Sequence, residues 1–199
     1  MLNLRAALLA VPLAAGLLGA APAQAATTNS LTCQGKGIDP TARLHHRAET
    51  FVKAPLSTVW RLHTRVESWP DWQKSVTSMK RLDPGQWHPG SRFRWTTPAP
   101  ATPSTPATTL VITSTVHQLE PGQCVRWSGP AIGQGLRIDR GTHVWNFVPV
   151  PGGVLVRTEE SWTGQQIEAD PATARKYLAQ GLDLWLADLK TAAEARCQH

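Results

Sequence analysis

His143 and Glu160 are the two side chains of this sequence best suited to acid–base chemistry. If Pro151 and Gly152 form a two-residue hairpin turn, His143 lies opposite Glu160 on the strands that the turn joins. Glu160 then shares a strand face with an apolar set, Val154, Val156 and Trp162. Partial desolvation on that face raises the pKa of the carboxyl unless a cation compensates. An imidazole that shares a proton with such a carboxyl could act as an acid–base couple.

The same pair also has structural interpretations. It could satisfy its own hydrogen bonds at a cavity floor, or orient a hydroxyl or carbonyl group of a ligand. Arg126 or Arg140 could neutralise Glu160 and make a structural salt bridge. A turn one residue longer or shorter would move each side chain to the other face of its strand. A structural or ligand-orienting role is favoured over catalysis, because ion-pair networks often imitate active sites.

Other signatures of catalysis or binding are missing from the sequence. It contains no Gly-x-Ser-x-Gly elbow, no phosphate-binding glycine loop and no His-Glu-x-x-His helix. No Cys/His spacing indicates a zinc site, so we expect no metal and no cofactor. The net charge is +6, but the Lys and Arg residues are scattered along the chain. Scattered charge indicates a solvated basic surface and no nucleic-acid partner.

Tryptophan dominates the aromatic residues, with nine Trp against one Tyr. Large aromatic walls with few polar groups are typical of a site for an apolar ligand. Four Trp on predicted inward faces are as well explained by a pocket wall as by plain core packing. With the polar pair and nearby inward positions, the ligand-binding candidates are Trp95, Trp127, His143, Trp145, Thr158, Glu160, Leu182 and Trp185.

These residues lie on a regular succession of predicted elements. A strand over 44–53 precedes a helix that begins at Pro55, and Trp69-Pro70-Asp71-Trp72 interrupts that helix and opens a second short one. Alternating apolar residues then predict six strands, near 75–82, 91–97, 110–119, 123–128, 136–148 and 154–162. Their short connections indicate an antiparallel meander in an α+β protein.

Two further segments bear on a cavity. A long C-terminal helix is predicted from the Asp170 cap and from Pro171 at its first position, and its single apolar stripe must lie on the sheet. A bent sheet wrapped around one helix leaves a cavity unless large side chains fill it. Pro98–Thr109 is almost wholly Pro, Ala, Thr and Ser. This loop could cover the mouth of a pocket or merely decorate the surface.

The N-terminus has the three parts of a secretory signal peptide: Arg5, an apolar run from Ala6 to Ala21, and the cleavage signal Ala23-Gln24-Ala25. We predict that residues 1–25 are removed and that the protein is secreted or extracytoplasmic. No integral membrane segment is expected after cleavage. An irregular segment over 26–43 then precedes a single domain over 44–199.

Three cysteines follow the cleavage site, an odd number for an exported protein. Cys33 and Cys197 lie near the two ends of the chain, where a disulfide would close a very long loop. Cys124 falls inside a predicted strand, a position typical of a buried small apolar residue. A Cys33–Cys197 disulfide is therefore favoured over the other pairings, which stay open.

Four motifs recur in the order of the predicted elements: Val52-Lys53-Ala54-Pro55 with Val59-Trp60, then Trp69-Pro70-Asp71-Trp72, then Ser114-Thr115-Val116 with Val125-Arg126-Trp127, and finally His143–Phe147 with Thr158–Trp162. Over about 47–195 the chain thereby resembles the SRPBCC superfamily of polyketide cyclases, START-like lipid-transfer domains and Bet v 1-type proteins. The resemblance implies a helix-grip fold, a curved antiparallel sheet wrapped around a long C-terminal helix with two short helices after the first strand. Members of the superfamily bind sterols, lipids, plant hormones and polyketides, and some cyclise or dehydrate their ligands, so the fold does not choose a function.

The expected function is that of an exported binding or carrier protein for an apolar, lipid- or polyketide-like small molecule held between the sheet and the helix. One alternative is a cyclase- or dehydratase-like enzyme in which His143 and Glu160 transfer protons. A second alternative is an interaction protein with a filled core, in which the Trp residues serve packing alone. The sequence does not indicate the oligomeric state.

Overall fold

A computed structural model describes residues 30–197, so the predicted signal peptide lies outside the described residues. The described chain contains seven strands, three α-helices and one 3₁₀ helix. In chain order they are β1 (Leu44–Val52), α1 (Leu56–Thr64), the 3₁₀ helix (Val66–Asp71), β2 (Ser78–Arg81), β3 (Arg92–Ala99), β4 (Thr108–Glu120), β5 (Cys124–Gly133), β6 (Leu136–Val150), β7 (Gly153–Thr163), α2 (Gln165–Glu168) and α3 (Pro171–Ala195). No helix within this part of the chain is long and apolar enough to cross a bilayer.

The strands form one antiparallel sheet in the order β1-β7-β6-β5-β4-β3-β2. The predicted α+β helix-grip fold is therefore confirmed: the sheet encloses α3, and α1 and the 3₁₀ helix follow the first strand. The order has a local cause, because hairpin connections between β2 and β7 make each strand pair with the next one in the chain. Only β1 pairs outside this succession, with β7.

The long helix starts as the sequence predicts. Asp170 accepts a hydrogen bond from the backbone N–H of Thr173, and Pro171 occupies the first helical position. The buried side of α3 includes Leu178, Leu182, Trp185 and Leu189. The helix packs chiefly on β1, at one border of the sheet. This placement leaves space between the first half of α3 and the middle strands.

Residues 30–43 cross the outer face of the sheet, the face directed away from α3. The backbone N–H of Leu31 donates to a carboxylate oxygen of Glu159 at 2.6 Å, and Arg126 Nε donates to the carbonyl of Gly37 at 2.7 Å. A small apolar cluster lies beneath the segment and includes Leu31, Cys33, Cys124 and Val144. The segment is therefore fastened to β5, β6 and β7.

The favoured disulfide pairing is wrong: Cys33 is bonded to Cys124, with a Cα–Cα distance of 5.4 Å. Cys124 begins β5 and faces the outer cluster, directly under the segment that carries Cys33. Cys197 lies beyond the end of α3, exposed and outside any disulfide. Loop length alone favoured the termini, whereas the crossing of the outer face decides which sulfur atoms meet.

Gly129 on β5 allows two strands to approach closely, and we expect Gly129→Ala to cost about 3 kcal/mol of folding stability. A Cβ atom there would overlap the carbonyl oxygen of Thr113, a backbone atom that cannot turn aside. Gly181→Ala in α3 is the matched control, because its Cβ would meet nothing within 4 Å. Removing a helical glycine should stabilise the fold by about 0.5–1 kcal/mol. Urea unfolding of both variants measures the two shifts, and equal stabilities would show that β4 and β5 do not approach in this way.

Candidate functional site

A cavity of about 380 Å³ lies between the inner face of the sheet and the N-terminal part of α3. The aliphatic part of its wall includes Leu110, Ile112, Ala131, Ile138 and Ile167. The aromatic part includes Trp95, Trp127, Trp162 and Trp185, and two of these, Trp95 and Trp162, pack against the aliphatic residues. A cavity of this size and lining matches the general properties of small-molecule sites in proteins.

The Pro/Ala/Thr-rich loop forms one side of this cavity. Strand β3 extends to Ala99 and β4 begins at Thr108, so the loop proper is shorter than the sequence suggests. Its tip is a closed turn in which the backbone N–H of Thr102 donates to the carbonyl of Thr105 at 2.8 Å. Thr102 and Thr105 both line the cavity, and Thr105 is buried. These contacts favour the interpretation in which the loop covers the mouth of the pocket. They do not favour a loop that only decorates the surface.

His143 and Glu160 face one another across β6 and β7, in the register that the two-residue turn predicts. The Nδ1 atom of His143 lies 3.5 Å from Oε2 of Glu160, an ion-pair distance that is longer than a normal hydrogen bond. The side chain of His143 is 5% exposed and that of Glu160 is 18% exposed. Both side chains line the cavity, so the accessible part of the carboxyl is open to a bound ligand.

Two neighbours of Glu160 set the position of its carboxyl group. The indole N–H of Trp162 donates to Oε1 at 2.9 Å. A Cβ atom on Gly141 would lie 3.1 Å from the same oxygen. The absence of a side chain at this glycine therefore provides space for the carboxyl group. Sequence reasoning placed Trp162 on the same face as Glu160 but missed both roles, because neither the direction of an indole nor a gap beside a glycine has a sequence signal.

Thr158 forms a hydrogen bond with the other ring nitrogen of His143. Its Oγ1 atom lies 2.7 Å from Nε2, and it can donate to the backbone carbonyl of Val144 at 3.2 Å. When the hydroxyl donates to Val144, Nε2 carries the imidazole proton and Nδ1 is an acceptor. When the hydroxyl donates to Nε2, the proton is on Nδ1 and points towards Glu160. His143 can therefore stay neutral with either form of the carboxyl.

The electrostatics of the pair follow from burial. Desolvation raises the pKa of Glu160 to about 7, against the opposing effect of the hydrogen bond from Trp162. Desolvation, together with the influence of His63, holds the pKa of His143 well below its ordinary value. At neutral pH the imidazole is uncharged and the carboxyl exchanges its proton readily. Such a carboxyl can orient a polar group of a ligand, or donate and accept a proton.

Neither arginine suggested as a partner of Glu160 reaches it. Arg126 points to the outer face, where it donates to Gly37 and to the side chain of Gln118. The electrostatic influence of Arg140 falls on Asp39 and His117 on that same side. The interpretation of a structural salt bridge with either arginine is wrong, because alternation along β5 and β6 turns both side chains away from the cavity.

The predicted ligand-binding residues divide into two groups. Six of them line the cavity: Trp95, Trp127, His143, Glu160, Leu182 and Trp185. Trp145 and Thr158 do not, and their prediction as wall residues is corrected. Trp145 is fully buried with its ring centroid 4.4 Å from that of His63, and Thr158 lies behind His143. Both face inward as expected, but other side chains separate them from the cavity.

His63 on α1 is a buried polar residue that the sequence analysis did not single out. Its ring lies against Trp127, Trp145 and Phe147, and neither ring nitrogen has a hydrogen-bond partner among the described residues. Burial lowers its pKa to about 3. His63 is therefore a neutral member of the aromatic core, next to the cavity wall.

Within residues 30–197, no group of three or more His, Cys, Asp or Glu side chains could hold a metal ion.

The sequence profile of the family described as "Polyketide cyclase / dehydrase and lipid transport" matches residues 43–194. This range includes every strand, α1, α2 and nearly all of α3. No curated protein sequence is significantly similar to the chain.

Several solved structures share the fold. TTHA0849 from Thermus thermophilus is 20% identical with a TM-score of 0.58, covering 76% of this chain and 98% of that one. The Zhui aromatase/cyclase from Streptomyces sp. R1128 is 15% identical with a TM-score of 0.58, covering 77% and 94%. Ara h 8.0201 is 10% identical with a TM-score of 0.60, covering 76% and 97%. At these identities the similarity establishes the fold alone.

Proposed function

The chain belongs to the polyketide cyclase / dehydrase and lipid transport family, and on that premise we propose that it is an exported protein that binds and carries an apolar small molecule. The observation that carries the proposal is the cavity of about 380 Å³, whose wall is largely aromatic and aliphatic and includes the His143–Glu160 pair. An apolar body would bury its surface against the Trp side chains, and one polar group would meet the carboxyl. The cavity argues against a filled core.

Two observations support the exported part of the proposal. Residues 1–25 have the composition of a secretory signal peptide. The Cys33–Cys124 disulfide fits an oxidising compartment, since such bonds form and persist outside the cytosol.

Proton transfer is the second candidate function, and one observation favours it. A carboxyl with a pKa of about 7 lies at the cavity wall beside a neutral imidazole. It could protonate a carbonyl of a bound compound or remove a proton next to one. If the protein converts a bound compound and Glu160→Gln abolishes this turnover, the result favours an enzyme. If the turnover survives the substitution, Glu160 has no part in the mechanism.

Native mass spectrometry of the purified protein, followed by solvent extraction, tests for a retained apolar compound. As a defined probe we choose 2-(hydroxymethyl)naphthalene, which should bind with a Kd of about 10 μM by calorimetry. Ala131→Leu places three additional carbons in the cavity and should weaken binding by about tenfold or more. Ala187→Leu makes the same change on the exposed side of α3 and should leave the affinity unchanged.

The outcome that contradicts the carrier proposal is equally definite. An empty protein that binds neither the naphthalene probe nor members of a lipid panel would favour the interaction protein. Equal affinities for Ala131→Leu and the wild-type protein would place the binding site outside this cavity.

A further inference from the structure

The cavity has an unusual charge composition for this protein. The chain contains 20 Lys and Arg residues and has a net charge of +6. Among the residues that the structure describes, no Lys or Arg lines the cavity, whereas Glu160 and Asp170 do. Asp170 is occupied by its helix-capping hydrogen bond to Thr173. The walls therefore offer no positive partner for a carboxylate or phosphate group of a ligand.

Glu160 keeps one oxygen available to a ligand. Oε1 accepts the N–H of Trp162, whereas Oε2 has only the long 3.5 Å approach of His143 Nδ1. Burial keeps the imidazole uncharged at neutral pH, so His143 does not neutralise the carboxylate. When Glu160 ionises, no Lys or Arg among the described lining residues compensates its charge, so a bound cation would find an unpaired carboxylate.

The aromatic rings that line the same cavity as Glu160 suit a positively charged ligand group. Trp95, Trp127 and Trp185 line the cavity, and the Trp95 and Trp185 rings meet edge to face with centroids 5.3 Å apart. The faces of indole rings attract cations, most strongly where water is excluded, and aromatic cages recognise alkylammonium groups in this way. A carboxylate in the same cavity adds a direct ionic partner.

We propose that this cavity takes an organic cation, a protonated amine on an apolar body, with the ammonium group against Glu160 and the apolar body among the Trp side chains. The inference rests on the proposed binding function and names the ligand class of the same cavity. It excludes fatty acids and phosphate-bearing lipids as preferred ligands, because their charged groups would face a carboxylate and find no Lys or Arg.

Other groups lie near Glu160, and a test of pH dependence has to distinguish their effects from that of Glu160. His143 faces it from β6 and Trp162 lies beside it on β7. His46 on β1 is opposite Glu160 in the register. Tyr177 and Asp170 line the cavity from the α3 side. Because His46 is the histidine opposite Glu160 on β1, His46→Gln is the control for any contribution of that imidazole to the pH dependence.

Three probes with the same ring system and different polar groups test the proposal: 2-(aminomethyl)naphthalene, 2-(hydroxymethyl)naphthalene and 2-naphthoic acid. Calorimetry at pH 8 should give about tenfold tighter binding of the amine than of the alcohol, with the acid weakest. Between pH 6 and pH 8 the affinity for the amine should rise by about tenfold as Glu160 ionises, while the affinity for the alcohol stays constant. The His46→Gln variant should keep this rise.

Glu160→Gln preserves the shape of the side chain and removes its charge. In this variant the amine and the alcohol should bind with similar affinity at both pH values. An alcohol that binds the wild-type protein as tightly as the amine does, or an amine preference that survives Glu160→Gln, would overturn the proposed ligand class and leave the carrier function intact. Failure of all three probes would overturn the carrier function itself.

Discussion

A Glu160→Gln variant is expected to be more stable than the wild-type protein at pH 8. The free energy of unfolding of the variant minus that of the wild type should be about 3 kcal/mol larger at pH 8 than at pH 4. Burial raises the pKa of Glu160 from 4.5 to about 7. The unfolded chain therefore releases this proton at lower pH than the folded one. The contribution of Glu160 is fully present below pH 4.5 and is lost as the pH rises to about 7, so the charge penalises the native state above that range.

Urea unfolding at intervals between pH 4 and pH 8 measures the difference between variant and wild type. The difference should grow from pH 4.5 to pH 7 and then level off. Glu159→Gln is the matched control, one residue along β7 on the outer face, where the buried carboxylate accepts the N–H of Leu31 and the hydroxyl of Ser30. Losing these charge-assisted hydrogen bonds should destabilise the protein by about 1–3 kcal/mol.

A Glu160→Gln difference that does not vary with pH would show that the carboxyl is solvated in the native protein. The proposed role of Glu160 as the carboxylate partner of a cation would then lose its electrostatic basis. A gain in stability combined with loss of amine binding would instead show that a group kept for ligand recognition costs folding stability, as polar groups at functional sites often do.

A His63→Leu variant is expected to be more stable than the wild-type protein at every pH, and most of all in acid. Replacing an imidazole whose ring nitrogens have no described partner should contribute about 1–2 kcal/mol at pH 8. Burial lowers the pKa of His63 from 6.5 to about 3. Because the unfolded chain takes up this proton near pH 6.5 and the folded chain does not, native stability falls as the pH drops through that range. Two pH units below 6.5, the variant should gain about 3 kcal/mol more.

The same unfolding series measures this gain, with His63→Gln as the matched variant. Glutamine keeps a polar group at the position but does not titrate, so it should remove the pH dependence without the gain at pH 8. His143 also has a lowered pKa, so part of the acid sensitivity should persist in both variants. Unchanged acid sensitivity in His63→Leu would mean that His63 is hydrated or paired in the native state.

Much of the fold and part of the site follow from the sequence, because their causes are local. The Pro151-Gly152 turn and the two-residue period of strands are enough to put His143 opposite Glu160, as the structure does. Asp170 and Pro171 define the start of α3 for the same reason, since a cap depends only on neighbouring residues. The motifs along the chain were likewise sufficient to indicate the family.

Tertiary structure decided which inward-facing residues meet a ligand. Trp127 and Trp145 obey the same alternation, yet only Trp127 lines the cavity. The His63 ring of α1 contacts both indoles, but Trp145 is also packed near Trp185 of α3 and is fully buried, whereas Trp127 reaches the cavity. Periodicity determines the face of a sheet on which a residue lies, but not what covers that face.

Contacts between residues that are far apart in the chain also cannot be predicted from local sequence patterns. Cys33 pairs with Cys124 because residues 30–43 cross the outer face, a path that the spacing of three cysteines does not contain. The sequence likewise establishes an excess of basic residues, while the tertiary structure keeps every described Lys and Arg out of the cavity wall and leaves a buried carboxyl there. Residue types and periods are properties of the chain, whereas the surroundings of a charge depend on elements far apart in sequence, and those surroundings determine the chemistry of Glu160.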